Sequence, residues 1–363
     1  MITKADAVLY NKRFGFSDYE HQELFTNDTA FKIGLTSQLV TANIITEMAK
    51  RNQFQLTDTI SKFIPAINSD ATINDLLHHK TSFPSIKIIQ AQHPELQYTT
   101  IAFSNEAVRS PKVYGHSDLN YNILGLLIET IGRKSYQEQI EDYSQKLGLE
   151  NTYFQKANAT AAVGYLYNNA QGNGLELEKA TASNLDITFS SNGLKSSARD
   201  LAKIIRFNSE KKLNIEGYLE NDGFSYALLT LPQKETAVIV LSNRRHPVAK
   251  EISYSIEAIM KDQPYHLPLA RKAVTIDAAL LKDYAGTYAL NSEMNLRVVN
   301  ENDSLFIMMG PNKIHLIPQS SNQFYMEQMD AGMRFIRDSS NTVNDVLLMD
   351  GFLDGTQIKR VQK

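Results

Sequence analysis

The chain has 363 residues, of which 42% are hydrophobic and 21% charged, with a net charge of −3 and a pI near 6.3. These values describe an ordinary globular protein of one large or two smaller domains, with no basic excess to suit nucleic acid or an anionic membrane. Cysteine is absent, which excludes disulfides, thiolate catalysis and cysteine-ligated zinc. No apolar run reaches the ~18 residues of a membrane span. The opening MITKADAVLYNKR lacks the apolar core of a signal peptide. The expected compartment is the cytoplasm, or the periplasm or exterior if an export signal has been removed. His78 and His79 are the only clustered histidines, and helical neighbours point about 100° apart, so neither a metal site nor a cofactor is expected.

In chain order, Thr36 and Ser37 are N-cap types ahead of Leu39, Val40, Ile44, Ile45, Met48 and Ala49, which recur at helical spacing. Tyr121, Leu124, Leu127, Ile128 and Ile131 form a second stripe, with Gly132 expected at C′. Ser135 and Glu138 make a capping box for a helix ending near Leu147-Gly148. Ser197-Ala-Arg-Asp200 opens a short helix, and Ile252, Ile256 and Ile259 mark another. Between these two, Phe224–Leu231 and Ala237–Leu241 read as a hairpin, so an antiparallel sheet with helices on one face is expected. The segment 263–274 reads as a linker. Beyond it, eight short strands are expected, the first at Gly286–Leu290 and the last at Gln357–Val361. Their regular spacing suggests a small barrel or sandwich, with Met308 and Met309 in its core.

A set of ordered phrases carries a family resemblance. Phe31-Lys-Ile-Gly-Leu-Thr-Ser-Gln-Leu-Val-Thr-Ala42 resembles the I-G-S-x-S-K-x-x-T-A phrase of serine β-lactamases and penicillin-binding proteins. Phe14-Gly-Phe-Ser-Asp18, Ile73-Asn-Asp-Leu-Leu-His-His79, Asn120-Tyr121 with Leu124-Gly125, Leu147–Thr152, Ser191–Leu201 and Val240–Arg244 are similar to further phrases of that family, in the same order. Leu281–Tyr288 resembles the start of an appended lipocalin-like domain. The resemblance implies an α+β fold: an antiparallel sheet flanked by helices plus a helical region over roughly 31–201, followed by a small all-β barrel. The implied domains are 1–262 and 275–363. Some 13 residues precede Phe14, fewer than such proteins usually have, so the first strand is expected to be absent and the open sheet edge covered by another copy or by the C-terminal β domain.

The resemblance also implies an acyl-transfer site built from three motifs, and all three are altered. In S-x-x-K, the nucleophile and its base lie on one helix face; Leu35 and Gln38 occupy those positions. In Y-x-N, His116 and Asp118 replace the Tyr and Asn, and Tyr114 is two residues out of register. In K-T-G or H-x-G, the ungapped count lands on Gly217-Tyr-Leu219, with no cation. Standard acyl-enzyme chemistry is therefore not expected. The favoured expectation is a silent member of the family whose cleft, walled by Leu35, Gln38, His116, Asp118 and the Gly217 segment, keeps a binding or assembly role. The ligand expected there is a small peptide-like or ester molecule, with Tyr114, His116 and Asp118 contacting it. The alternative is a weak hydrolase using Ser37, or a water activated by His116 and Asp118.

Overall fold

The computed structural model describes residues 1–67, 69–83, 115–154, 161–168, 176–181, 190–208, 212–219, 222–231, 235–244, 248–265, 273–291, 294–309, 312–326, 331–349 and 355–361. Tyr114 lies outside them. The chain divides into two compact units: Met1–Leu166 with Lys179–Pro264, and Tyr167–Glu178 with Tyr265–Lys363.

The first unit is built on a five-stranded antiparallel sheet. Its strands are β1 (Ile2–Lys4), β2 (Ala7–Tyr10), β9 (Asn214–Leu219), β10 (Phe224–Leu231) and β11 (Thr236–Ser242), in the order β2-β1-β11-β10-β9. The expectation of an absent first strand is corrected here. The first ten residues form two short strands joined through Ala5 at a φ of 47°, and β1 pairs with β11 through Ile2, Thr3 and Lys4. Strands of three and four residues are too short to show an alternating pattern in sequence.

All eight residues of β10 are buried, because helices cover both faces of the sheet, not one. Leu228 and Ile239 pack with Leu201, Ile204 and Ile205 of the helix Ala198–Phe207. Leu229, Leu231 and Val238 pack instead with Ile256 and Met260 of the helix Val248–Met260. The period-2 alternation of a strand sends neighbouring residues to opposite cores.

The remaining helices gather in the larger of these cores. The helix Thr36–Lys50 packs against the helix Asp118–Gly132, as does the helix Ile73–Leu77. The helix Tyr136–Leu147 opens with the expected capping box, Ser135 Oγ accepting from the Glu138 amide, and closes on Gly148 at a φ of 63°. Gly132, by contrast, is the last helical residue, and Arg133 takes the left-handed position at a φ of 51°. Buried polar groups stitch the helices together: Thr41 Oγ1 lies 2.9 Å from Tyr136 Oη, and Asn43 Nδ2 donates to Tyr143 Oη at 3.0 Å. The region is not wholly helical. Short strands β5 (Phe31–Lys32) and β8 (Lys195–Ser196) pair antiparallel, Lys32 opposite Lys195.

The second unit contains a closed antiparallel barrel of eight strands running from Gly286–Ala289 to Gln357–Arg360, with first and last strands paired. Side chains fill its interior. Tyr288, Phe324, Met333, Phe335 and Val346 are fully buried, and Tyr284 of the helix Ala278–Tyr284 stacks on Phe335 at 4.4 Å between ring centroids. Leu305 and Ile307 belong to that core and Met308, the next residue on, does not, so the expectation of a Met308 core position is corrected by the pleat of its strand, which turns it to the other face.

Candidate functional site

The three altered motifs meet at the start of the helix Thr36–Lys50. Leu35 is its N-cap, with φ −55° and ψ −19°, and no side chain caps the end. Thr36 and Ser37, expected as caps, form the first turn and donate their amides to the carbonyls of Ile33 and Gly34. The turn into the helix is anchored by a buried ion pair: Lys32 Nζ lies 2.8 Å from Asp222 Oδ2, just before β10. Opposite it, burial and then the charge of Lys32 lower the pKa of Lys195.

The Leu35 amide donates to Tyr226 Oη at 2.9 Å. Tyr226 rises from β10, where it pairs with Gly217 of β9. Two glycines make room for it. A Cβ on Gly34 would lie 2.4 Å from the Tyr226 hydroxyl, and one on Gly217 would lie 2.7 Å from it. Gly34 also holds a φ of 46°, which L side chains rarely adopt. Burial pushes the Tyr226 phenol up to about 12, so the hydroxyl is neutral and accepts the amide. The donor that an oxyanion would need at this helix end is thus already paired.

Gln38, one turn on, belongs to a chain of hydrogen bonds that all run one way. Thr81 Oγ1 donates to Asn120 Oδ1 at 2.6 Å, and Asn120 Nδ2 lies 3.2 Å from His79 Nδ1. The Ser117 amide also points at His79 Nδ1, at 3.4 Å. With Nδ1 accepting, His79 carries its proton on Nε2 and donates to Gln38 Oε1 at 3.2 Å. Gln38 Nε2 then donates to Asp118 Oδ1 at 3.2 Å. Burial, then the neighbouring His116, lower the His79 pKa to about 4, so this tautomer is the neutral one the geometry requires.

Asp118 is the first residue of the helix Asp118–Gly132, with Ser117 as N-cap, where a carboxylate is favoured. His116 Nε2 stands 3.9 Å from Asp118 Oδ1, beyond hydrogen-bonding reach, and its ring lies tilted by 30° against that of His79, 4.6 Å between centroids. Ser37 lies away from this group. It is fully buried, and its Oγ accepts from the Leu194 amide at 3.1 Å. Beside Leu35 opens a cavity of about 570 Å³ whose lining includes Gln38, His78, His79, His116 and Glu216.

The structure thus brings together Leu35, Gln38, Asp118 and Gly217, leaves His116 at the rim, and sets Ser37 apart. Sequence reasoning passed over Thr81, Asn120, His79 and Tyr226 as parts of the site. His79 is named in the sequence only as one of two clustered histidines. It enters the network because the turn after the helix Ile73–Leu77 gives it a φ of 52°. Among the described residues, the group of metal-ligand type within reach of a common ion is Asp18, Glu20 and His21, none of which lines the cavity beside Leu35.

A sheet with helices on both faces, a helical subdomain and altered motifs at a helix start define a protein of the β-lactamase and transpeptidase fold. A family model described as Beta-lactamase matches residues 1–221, more than half of the chain, and the chain belongs to that family. A second model, described as Domain of unknown function (DUF3471), matches residues 270–359. The chain is similar to Protein flp of Staphylococcus aureus (strain MW2), with 25% identity over 182 residues covering 46% of this chain and 36% of that protein. It is also similar to Putative penicillin-binding protein PbpX of Bacillus subtilis (strain 168), with 26% identity over 172 residues covering 46% of this chain and 44% of that protein. The matched stretches span less than half of either relative.

Among solved structures, the octameric penicillin-binding protein homologue from Pyrococcus abyssi aligns over 99% of this chain and 94% of its own, with a TM-score of 0.63 and 20% identity. A class C beta-lactamase mutant aligns over 72% of this chain and 90% of its own, with a TM-score of 0.58 and 15% identity. At these identities the likeness concerns the fold alone. No helix among the described residues is long and apolar enough to cross a membrane.

Proposed function

We propose that this chain is a catalytically silent member of the β-lactamase family that uses the old cleft to bind a small peptide-like or ester molecule. The observation that carries the reading is the state of the helix start. Leu35 offers no nucleophile, and its amide is already paired with Tyr226 Oη at 2.9 Å. Acyl transfer needs both an attacking group and a free donor for the oxyanion. The next serine, Ser37, is fully buried and committed to the Leu194 amide. Gln38 has no basic lone pair, and its amide is held between His79 and Asp118. His116 and Asp118, the other source of a base, are 3.9 Å apart, so the imidazole is not oriented by the carboxylate.

Covalent capture tests the reading. The full chain is incubated with a fluorophosphonate and with a labelled penicillin, and the intact mass is measured. No stoichiometric adduct is expected. An adduct on Ser37, or ester turnover lost in His116→Ala, favours the hydrolase alternative instead.

A second reading, assembly of copies through a sheet edge, is favoured by β2. It is the last strand of the sheet, and Val8, Leu9 and Tyr10 on it are 57%, 53% and 46% exposed. Apolar edge strands tend to pair with another chain. The similar Pyrococcus abyssi protein is described as octameric.

A further inference from the structure

Two lysines face each other across the short strands that lead into the altered helix start. Lys32 of β5 lies opposite Lys195 of β8, and Tyr153 lies opposite Lys195 on its other side. Residues directly opposite on neighbouring strands share a face, and like charges placed so repel. Lys32, Lys195 and Tyr153 therefore stand in a row on one face of this small sheet. Asp222 Oδ2 is taken by Lys32, at 2.8 Å in a buried pair. Lys195 is half-buried, and its Nζ has neither an ion pair nor a hydrogen bond among the described residues. Its neighbour instead is the Tyr153 ring, whose centre lies 5.9 Å from Nζ.

An ammonium in that position gives up water and gains no anion of its own. Burial, then the charge of Lys32, lower the Lys195 pKa, and the smaller pull of Asp222 does not offset them. Burial pushes the Tyr153 phenol up, so that neighbour is neutral. A desolvated lysine beside a second cation is an activated nucleophile. Its stem is held in place as well. The Lys195 amide donates to the Tyr153 carbonyl at 2.9 Å, and the Lys195 carbonyl accepts from the Tyr153 amide at 3.0 Å. Neither lysine lines the cavity beside Leu35, so this chemistry is separate from the reading of the cleft.

We propose that Lys195 is a nucleophilic amine that condenses with small aldehydes, at a site formed with Lys32 and Tyr153. The Nζ lone pair bonds to the carbonyl carbon, and a proton passes from nitrogen to oxygen to give a carbinolamine. The C–O bond then breaks, its oxygen leaves as water, and a C=N bond remains. No oxidant or reductant takes part. An imine is a weaker base than an amine, so condensation relieves the crowding of positive charge opposite Lys32.

Reductive alkylation of the full chain tests this. The protein is exposed briefly to acetaldehyde and cyanoborohydride near neutral pH, and ethylated lysines are located by peptide mapping. Lys195 is expected to react roughly fivefold faster than the exposed Lys50, because more of it is free amine at that pH. Lys32→Met removes the opposing cation and frees Asp222 for Lys195. This variant is expected to slow Lys195 roughly fivefold and to leave Lys50 unchanged, which controls for an intact fold. The proposal is overturned if Lys195 in the parent reacts no faster than Lys50, or if Lys32→Met leaves the Lys195 rate as it was. The parent comparison needs no variant, so it decides the proposal even where Lys32→Met does not fold.

Discussion

Leu35 and Tyr226 act as a pair. The leucine puts hydrocarbon at the helix start, and the tyrosine takes up the amide that its position leaves pointing outward. Restoring a hydroxyl therefore restores only one of the missing parts. Leu35→Ser is expected to show no burst and no turnover of an activated ester above background, because no base lies one turn on. General-base assistance alone is worth about 10²–10⁴ in rate. Appreciable turnover by this single variant would mean that the His116–Asp118 and Gly217 segments still function. The tyrosine's placement is tested at Gly217. In Gly217→Ala the added methyl would lie 2.7 Å from the Tyr226 hydroxyl unless something moves. A loss of about 1–3 kcal/mol in urea unfolding is expected; an unchanged midpoint would show that Tyr226 moves freely.

At the scale of elements, the hydrogen-bond chain ties the turn after the helix Ile73–Leu77 to the starts of two longer helices through His79. An unfolded histidine titrates near 6.5, while burial first, then His116, hold His79 near 4. Between those values the unfolded chain binds more protons than the folded one. Stability from this group is full above 6.5 and is lost as pH falls toward 4. The loss is on the order of 1–3 kcal/mol. It is read as the difference in unfolding free energy between the parent and His79→Gln across that range. Equal slopes for the two proteins would contradict the neutral, buried imidazole.

These elements also show what sequence made legible. The helices Tyr136–Leu147 and Ala198–Phe207, the β10–β11 hairpin and the barrel strands all announced themselves, since each is long enough to display a period or carries its own cap. The strands β1, β5 and β8 did not, because two or three residues have no period. Cover on both sheet faces was hidden as well: Leu228 and Leu229 are alike in sequence and differ only in the face they take. Within the site, Leu35, Gln38 and Asp118 were legible through family phrases. His79 and Tyr226 were not, because their roles depend on a positive φ at one and two glycine clearances at the other. Ser37 looked like a spare nucleophile until its burial was known.

At the scale of the molecule, two units carry separate cores, one around the helices and sheet and one inside the barrel. The exposed apolar strand β2 bears on assembly. If copies associate through it, Leu9→Lys is expected to shift the sedimenting species toward monomer without changing secondary structure. An unchanged distribution would remove that edge as the contact.

The central claim is that this hydrolase scaffold no longer forms an acyl-enzyme. Intact-mass measurement after incubation with a fluorophosphonate and a labelled penicillin tests it most directly. The predicted result is a spectrum with no stoichiometric adduct, since Leu35 has no hydroxyl and Ser37 is sealed against the Leu194 amide. A one-to-one adduct mapping to Ser37 would contradict it.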